Sequence, residues 1–470
     1  MYIIERTVKA ITLYQARSRY FKWDMNLVRV LFLIILCLIS YCSQAQLTGE
    51  IEGIGILSSE KKNPFWFHAN QKGQISEETD AISKVAMDYF LELNEKSSLY
   101  VGAGVYYEEG HYNNLVLDEL YIEYDYSWLK ATLGLKHRKL LLDGLSGVGG
   151  DILWSGNSRA LPGLQLESNR PIKIFDWLNI EWKLHHYQMN DPRYVNNTRI
   201  HHKNIAFDLA LTGNEVLSIG LDHYAQWGGN SPDFGPQPTD FKDFLRIFIG
   251  YGGGGSSIST DQRNALGNHL GSYHIDYRIK RDEYALRFYY QSIFEDRSGR
   301  ELKNFPDGVW GVYFKLGHES IFSKILYEYN QTVSQSGRPK EYGGGSISGG
   351  DFYFYNGIYK SGWTYFGNSI GTPFIKANID DYSLLTNRSI IHHFGLGGEI
   401  GKLNYLMKIS FATNYGTYMQ PFEYKENAIY SFWQLSYPSH FGEFKVSVGY
   451  DYSNRVSNLF GSSLSYIYLF

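Results

Sequence analysis

The chain has 470 residues, with 44 Lys and Arg against 48 Asp and Glu (formal charge −4), 40 Tyr, 28 Phe, 10 Trp and 48 Gly. A chain of this size and aromatic content buries a large core, which excludes a disordered tail or a staple-dependent mini-protein. Its mild acidity excludes the basic footprint of a nucleic-acid binder.

The first element is a targeting signal. Residues 30–39 form a ten-residue apolar run (Val30 to Ile39), Arg29 precedes it, and Ser43-Gln44-Ala45 places small residues where a signal peptidase reads. The run is too short to span a bilayer as a helix, so 1–45 is expected to be a leader and signal peptide cut after Ala45. The 24 residues before Met25 make an odd leader, and Met25 is the expected true start. Six basic and two acidic residues leave with the leader, so the remaining 425 residues carry 38 basic and 46 acidic groups, net −8. Cys37 and Cys42 also leave, so no disulfide or thiol chemistry is expected in 46–470.

Past Ala45 there is no long apolar stretch; period-two alternation recurs instead. Val85, Met87, Tyr89, Leu91 and Leu93 oppose Lys84, Ala86, Asp88, Phe90 and Glu92. Near the end Phe444, Val446, Val448, Tyr450 and Tyr452 oppose Lys445, Ser447, Gly449 and Asp451, and Leu464, Tyr466, Tyr468 and Phe470 close the chain in the same rhythm. Such alternation marks strands with one apolar face. Strands are predicted at 47–57, 83–93, 98–108, 117–126, 128–138, 172–187, 203–211, 215–226, 243–250, 270–279, 283–293, 309–317, 319–330, 350–360, 389–400, 404–415, 430–437, 441–452 and 462–470.

A soluble sandwich would bury the apolar faces between two sheets, whereas an outer-membrane barrel turns them to lipid around a polar lumen. Runs of nine to eleven residues match a tilted crossing. Mid-strand Asp, Glu, Lys and Arg would be costly in a sandwich core. Tyr and Trp at run ends suit an interfacial girdle. The expected fold is therefore all-β: a transmembrane outer-membrane barrel of antiparallel strands forming one domain, 46–470. Nineteen candidates and the even-number habit of such barrels make eighteen the expected count, with sixteen the alternative. Residues 58–82 and 139–170 are candidates for a lumen plug, 331–349 and 367–388 for outer loops, and the stretch after Ser259 for a short helix with a flexible Gly252–Gly255 lead-in.

Four segments carry a resemblance. Residues 261–273 read DQRNALGNHLGSY, 289–299 read YYQSIFEDRSG and 307–311 read DGVWG, with Asn63-Pro64-Phe65-Trp66 earlier. In these the chain resembles the capsule-assembly outer-membrane family Wzi in its Bacteroidetes-type version, over most of 46–470. The resemblance implies an 18-stranded barrel, plugged by helices and closed outside by folded loops. It also implies a lectin that helps attach capsular polysaccharide to the cell surface without catalysis. A net charge of −8 suits an anionic glycan only if basic patches exist locally.

Glycan binding needs ring platforms beside planar polar groups. The candidates are Trp154 with Asn157 and Arg159, Trp227 with Asn230, Trp310, and Trp363; girdle or core packing is the competing reading of each. Asn264, Gly267, Asn268 and Gly271 are the most motif-like residues and read mainly as turn and close-approach positions. Gln291, Glu295, Asp296 and Gly299 follow a strand end and read as a hairpin turn or plug contact. The carboxylates Glu108, Glu109, Asp118, Glu119 and Glu123 invite a glycosidase reading, but Glu119 and Glu123 lie roughly 13 Å apart along one strand face. His185-His186, His201-His202 and His392-His393 are strand neighbours facing opposite ways, so each pair offers at most one ligand to a metal. No zinc, Walker or nucleophile-elbow motif appears, and no enzyme activity, metal or cofactor is expected. The expected partners are capsular or other surface polysaccharide and outer-membrane lipid with lipopolysaccharide, not nucleic acid. A closed barrel has no free edges, so a monomer is expected. The rival functions are a porin or glycan channel and, behind it, an outer-membrane hydrolase.

Overall fold

The computed structural model describes residues 46–111, 113–252, 265–337, 340–342, 346–348, 351–378 and 381–470. The leader, most of the glycine quartet, the helix expected after Ser259, and Asn264 lie outside the described residues.

The strands are β1 (Gln46–Ser58), β2 (Ala81–Asn94), β3 (Ser97–Glu109), β4 (Asn114–Tyr126), β5 (Leu129–Leu135), β6 (Pro162–Ser168, resuming as Ile172–Phe175), β7 (Leu178–Gln188), β8 (Arg199–Thr212) and β9 (Glu215–Trp227). They continue as β10 (Asn268–Lys280), β11 (Tyr284–Gln291), β12 (Gly308–Leu316), β13 (Lys324–Gln331), β14 (Ser389–Ile400), β15 (Leu403–Gly416), β16 (Pro421–Ser439), β17 (Gly442–Ser453) and β18 (Leu459–Leu469). Each pairs antiparallel with its sequence neighbours, and β1 pairs with both β2 and β18, closing the cylinder. Both pieces of β6 pair with β7 on either side of a break ending at Pro171, which lacks a ladder N–H. The described residues thus form eighteen spans.

The faces follow the alternation. On β17 Phe444, Val446, Tyr450 and Tyr452 are exposed, while Ser447 and Asp451 are buried. On β2 Val85, Met87 and Leu93 are exposed and Lys84 is buried. An exposed apolar belt around a polar interior is the pattern of an outer-membrane barrel. The two ends differ. On the side of Gln46 the strands are joined by two-residue turns at 95–96, 127–128, 176–177, 213–214, 401–402 and 440–441. The opposite side carries 59–80, 136–161, 228–267, 292–307 and 332–388. Short turns mark the periplasmic end and long loops the cell exterior.

Two loop-side segments fill the lumen. From 136–161, Leu145, Val148, Ile152, Leu153 and Trp154 pack on inward wall residues Tyr224, Leu270, Tyr289 and Leu326, capped by Tyr353, Phe354, Trp363 and Tyr365 of the 332–388 loop. From 59–80, α1 (Phe65–His68) packs Phe65, Trp66 and Phe67 against Tyr430, Phe432 and Ile391. The Phe65 N–H donates to Asp451 at 2.7 Å, and the ring stacks on Tyr430 with centroids 4.4 Å apart. Gly449 permits this approach, since a Cβ there would lie 2.5 Å from the Phe67 ring.

Four sequence expectations need correction. The strand predicted at 243–250 is a helix, α2 (Phe241–Ile249), ended by Gly250 in the left-handed region. A short apolar run does not distinguish strand from helix by itself. The strand predicted at 350–360 is a series of turns; Asn356 Oδ1 accepts from the N–H groups of Ile358 and Tyr359, and the adjacent Tyr353 and Phe354 are both buried, which no one-sided strand allows. The segment 139–170, read as strand-free, contains Pro162–Ser168, and the 172–187 prediction is two strands meeting at a turn.

The loop cover holds an ionisable contact. Asp296 caps α3 (Arg297–Arg300) by accepting the Ser298 N–H at 2.7 Å, and the Asp351 carboxylate accepts from Ser336 Oγ at 2.7 Å. Burial, with the Asp296 charge beside it, pushes the Asp351 pKa up to about 7 from an ordinary 3.8. The folded loop therefore holds a proton that the unfolded chain releases. The resulting stabilisation is complete below pH 3.8 and fades as the pH rises toward 7. At pH 8 limited proteolysis is expected to cut the wild-type 332–378 loop several-fold faster than D351N, with the gap smaller at pH 5 and closed only below pH 3.8. Equal cutting at both pH values would contradict the assignment.

Candidate functional site

The ladder between β4 and β5 stops at Leu120, leaving 114–119 of β4 with no strand on that flank among the described residues. Here the chain leaves the wall. Predicted strand 128–138 ends at Leu135, and Lys136, His137 and Arg138 turn inward. Each is fastened. Lys136 Nζ meets Glu123 at 2.5 Å and lies over the Tyr121 ring. His137 Nε2 meets Asp118 at 2.7 Å and its N–H donates to Glu119. The Arg138 guanidinium sits 4.0 Å over the Trp154 ring and donates to Tyr224 Oη at 3.1 Å.

A small surface cleft lies at this point, its enclosed part no larger than about one water molecule. Lys72, Lys136, Arg138 and Arg159 line it with charge, beside Trp154 and Tyr187 and the backbone of Ser155 and Gly156. Arg159 stacks 4.6 Å over Phe366. Arg138 lies 3.9 Å from Asp151, whose carboxyl burial holds above its ordinary range. Lys72 makes no ion pair among the described residues. A net-acidic chain thus presents a local cationic pocket on its loop side.

The predicted site residues divide. Trp154 and Arg159 line the pocket, and Asn157 lies beneath it, accepting the Asn70 N–H and donating to Ser369 O, each at 3.1 Å. Trp363 is fully buried behind Trp154, ring centroids 6.2 Å apart. Trp227 ends β9 on the outer wall, covered by Phe244. Asn230 is exposed and bonds by its backbone to Asn196. Trp310 is exposed on the outer wall, stacked on Tyr290 at 4.1 Å, its indole N–H given to Pro306 O.

The motif residues sit in the framework. Gly267 has φ +88°, and Asn268 donates to Gln226 at 2.8 Å. A Cβ on Gly271 would lie 2.1 Å from the Phe294 ring, and one on Gly299 2.6 Å from Phe294 Cβ. Gln291 grips the plug, accepting the Ile152 N–H at 2.9 Å and donating to Gly150 O at 2.7 Å. Glu295 accepts the Phe354 N–H at 2.7 Å, burial raising its pKa. The carboxylates once eligible as a glycosidase pair have other partners: Glu108 accepts from Thr79, Asp118 from Gln74, Glu123 from Thr132. Of the histidine neighbours, His185 and His202 face inward within 3.1 Å of each other, and His202 meets Asp222 at 2.7 Å. No group of three or more His, Cys, Asp or Glu suited to a metal occurs among the described residues.

Sequence reasoning missed Lys72, Lys136 and Arg138. Lys136-His137-Arg138 was visible as a basic triplet, but the strand prediction absorbed it.

A family model described as capsule assembly protein Wzi matches residues 67–396. No curated protein matches the chain. Among solved structures, an Escherichia coli outer-membrane protein, Wzi, involved in group 1 capsule assembly and described as a carbohydrate-binding β-barrel, is 14% identical, with a TM-score of 0.60 over 93% of this chain and 87% of that one. OccK3 of Pseudomonas aeruginosa is 11% identical, with a TM-score of 0.50 over 92% of this chain and 97% of that one. Both likenesses concern the barrel fold, whereas the family match spans well over half of the sequence and includes the 136–161 plug segment and the residues that line the cleft. This outer-membrane barrel therefore belongs to the Wzi family of capsule assembly proteins.

Proposed function

We propose that the chain is a lectin that holds capsular polysaccharide at the cell surface, binding it without bond chemistry at the pocket of Lys72, Arg138 and Arg159. The observation that carries the reading is four cationic side chains and two rings gathered on the outer side of a filled barrel. Guanidinium and ammonium groups pair with uronate or phosphate on a glycan, guanidinium in a planar two-point fashion. Trp154 serves by holding Arg138 in place, Asn157 by shaping the floor, and Arg159 by direct contact. The carbohydrate binding described for the Escherichia coli Wzi protein supports the same reading. The packed lumen favours an anchor over a porin.

With purified protein in detergent, an acidic capsule fragment is expected to bind and a neutral one of equal length to bind at least tenfold more weakly. K72A/R159A should lose about tenfold in affinity, on the order of 1.4 kcal/mol, and binding should weaken with salt. Equal affinity for both fragments, or an unchanged double variant, would remove the pocket from the proposal. In a deletion strain, surface polysaccharide should fall with synthesis unchanged; an intact capsule would sink the lectin reading.

The same reading has the chain working as a monomer, its apolar belt against outer-membrane lipid and lipopolysaccharide. The segment 1–45 serves as an export leader. N-terminal sequencing of outer-membrane material should then begin at Gln46.

A further inference from the structure

Helix α2 lies on the outside of the barrel. Its Phe244 ring contacts His186, His201 and Trp227, and Phe248 contacts His201 and Lys203. Those wall residues share the outward face with the exposed Leu184 on β7, Ile205 and Phe207 on β8, Ile219 on β9 and Ile275 on β10. The inward neighbours His185, His202 and Tyr224 meet the plug side instead.

The wall under α2 is unlike the rest of the belt. His186 and His201 are cross-strand partners on it, and His223 and His269 approach to 2.9 Å beside them. Both ring nitrogens of His201 are buried without a hydrogen-bond partner. Such polar groups facing hydrocarbon would be costly. α2 covers them with Phe244, Ile247 and Phe248, joined by Leu266.

That leaves two further faces on the helix. At 100° per residue, Phe241, Leu245 and Ile249 form one ridge, exposed at 74%, 47% and 68%. Lys242 and Arg246 lie together beside it, Arg246 bonded to Asp243 at 2.9 Å. One row of the wall below α2, toward the periplasm, Leu184, Lys203 and His223 are aligned; the next row is Ile205 and Leu221, within the belt. The helix thus sits at the outer margin of the apolar belt, continuous with it, with an apolar ridge that nothing in the chain's described residues covers.

From this the geometry points to α2 as an interfacial helix: Phe241, Leu245 and Ile249 insert among acyl chains of the outer leaflet, and Lys242 and Arg246 stand at the level of its phosphate head groups. Three faces on nine residues (wall, hydrocarbon and charge) are what a helix lying in the plane of a bilayer interface requires. The inference rests on the reading that the belt itself meets lipid.

The test is spin labelling of the full chain, with Cys37 and Cys42 replaced by serine and the protein reconstituted in phosphatidylglycerol-containing vesicles. Single cysteines go at Leu245 and Ile249, at the belt positions Ile219 and Ile275, and at Ser457 in an outer loop. Oxygen should relax the labels at 245 and 249 as it does those at 219 and 275, while a water-soluble nickel complex should reach them several-fold less than the label at 457. Nickel access at 245 and 249 equal to that at 457, with 219 and 275 still shielded, would overturn the role of α2 alone. Equal nickel access at all five would overturn the membrane reading of the belt as well.

Discussion

Leucine in place of Glu328 is expected to loosen the lumen filling and give the barrel measurable conductance. Glu328 is buried on the inner face of β13. Its carboxylate accepts from Ser146 Oγ at 2.6 Å, the Gly147 N–H at 2.7 Å and Tyr289 Oη at 2.5 Å. Two of those donors belong to the plug and one to the wall, so a single side chain fastens one to the other. The shorter apolar side chain leaves all three donors without their acceptor, at about 1–3 kcal/mol each before relaxation. Gln291 and the His393–Leu145 contact at 2.7 Å still hold neighbouring parts of the segment, so opening should be intermittent. In planar bilayers the wild type should show no stable steps and E328L should flicker. A barrel with 139–158 replaced by a short Gly-Ser link should show sustained open steps. A closed deletion barrel would mean that this segment is not the seal.

The barrel was legible in the sequence because lipid imposes one periodicity on every strand. The exposed Phe444, Val446, Tyr450 and Tyr452 stand on the face assigned from alternation alone, and eighteen spans match the expected number. The errors fell where a segment answers to something other than lipid. Phe352 to Tyr355 is an aromatic run that looks like a strand, yet its successive residues Tyr353 and Phe354 both pack inside the loop cover, where alternation has no meaning. Residues 243–250 fall in a helix that lies over a patch of outward histidines, and those histidines come from four different strands. The candidate site was half legible. Trp154 and Arg159 lie close in sequence and stay close in space. Lys72 reaches them only because the 59–80 segment folds into the same mouth, with the Lys72 N–H given to Gly156 O at 2.6 Å. No local pattern encodes that meeting.

Alanine at Trp363 should strip the pocket of its support while leaving the barrel wall standing. The indole is fully buried, its N–H donates to Leu153 O at 2.6 Å, and its edge meets Trp154 and Tyr224 at 6.2 and 5.5 Å. Truncating a buried tryptophan costs about 3–5 kcal/mol, and here it also leaves the Leu153 carbonyl without that donor. The loss falls on the cover, because the wall ladders do not pass through Trp363. Both pocket arginines depend on this region: Arg138 rests on Trp154, which packs on Trp363, and Arg159 rests on Phe366, three residues further along. W363A is therefore expected to expose 351–378 to protease and to weaken binding of an acidic capsule fragment by tenfold or more. The heat-modifiable mobility of the barrel in gels should barely change. W363F, which restores the ring without the N–H, should recover most of the protease resistance and part of the affinity. Unaltered glycan affinity in a W363A protein whose loop is demonstrably cut would separate the pocket from its proposed support.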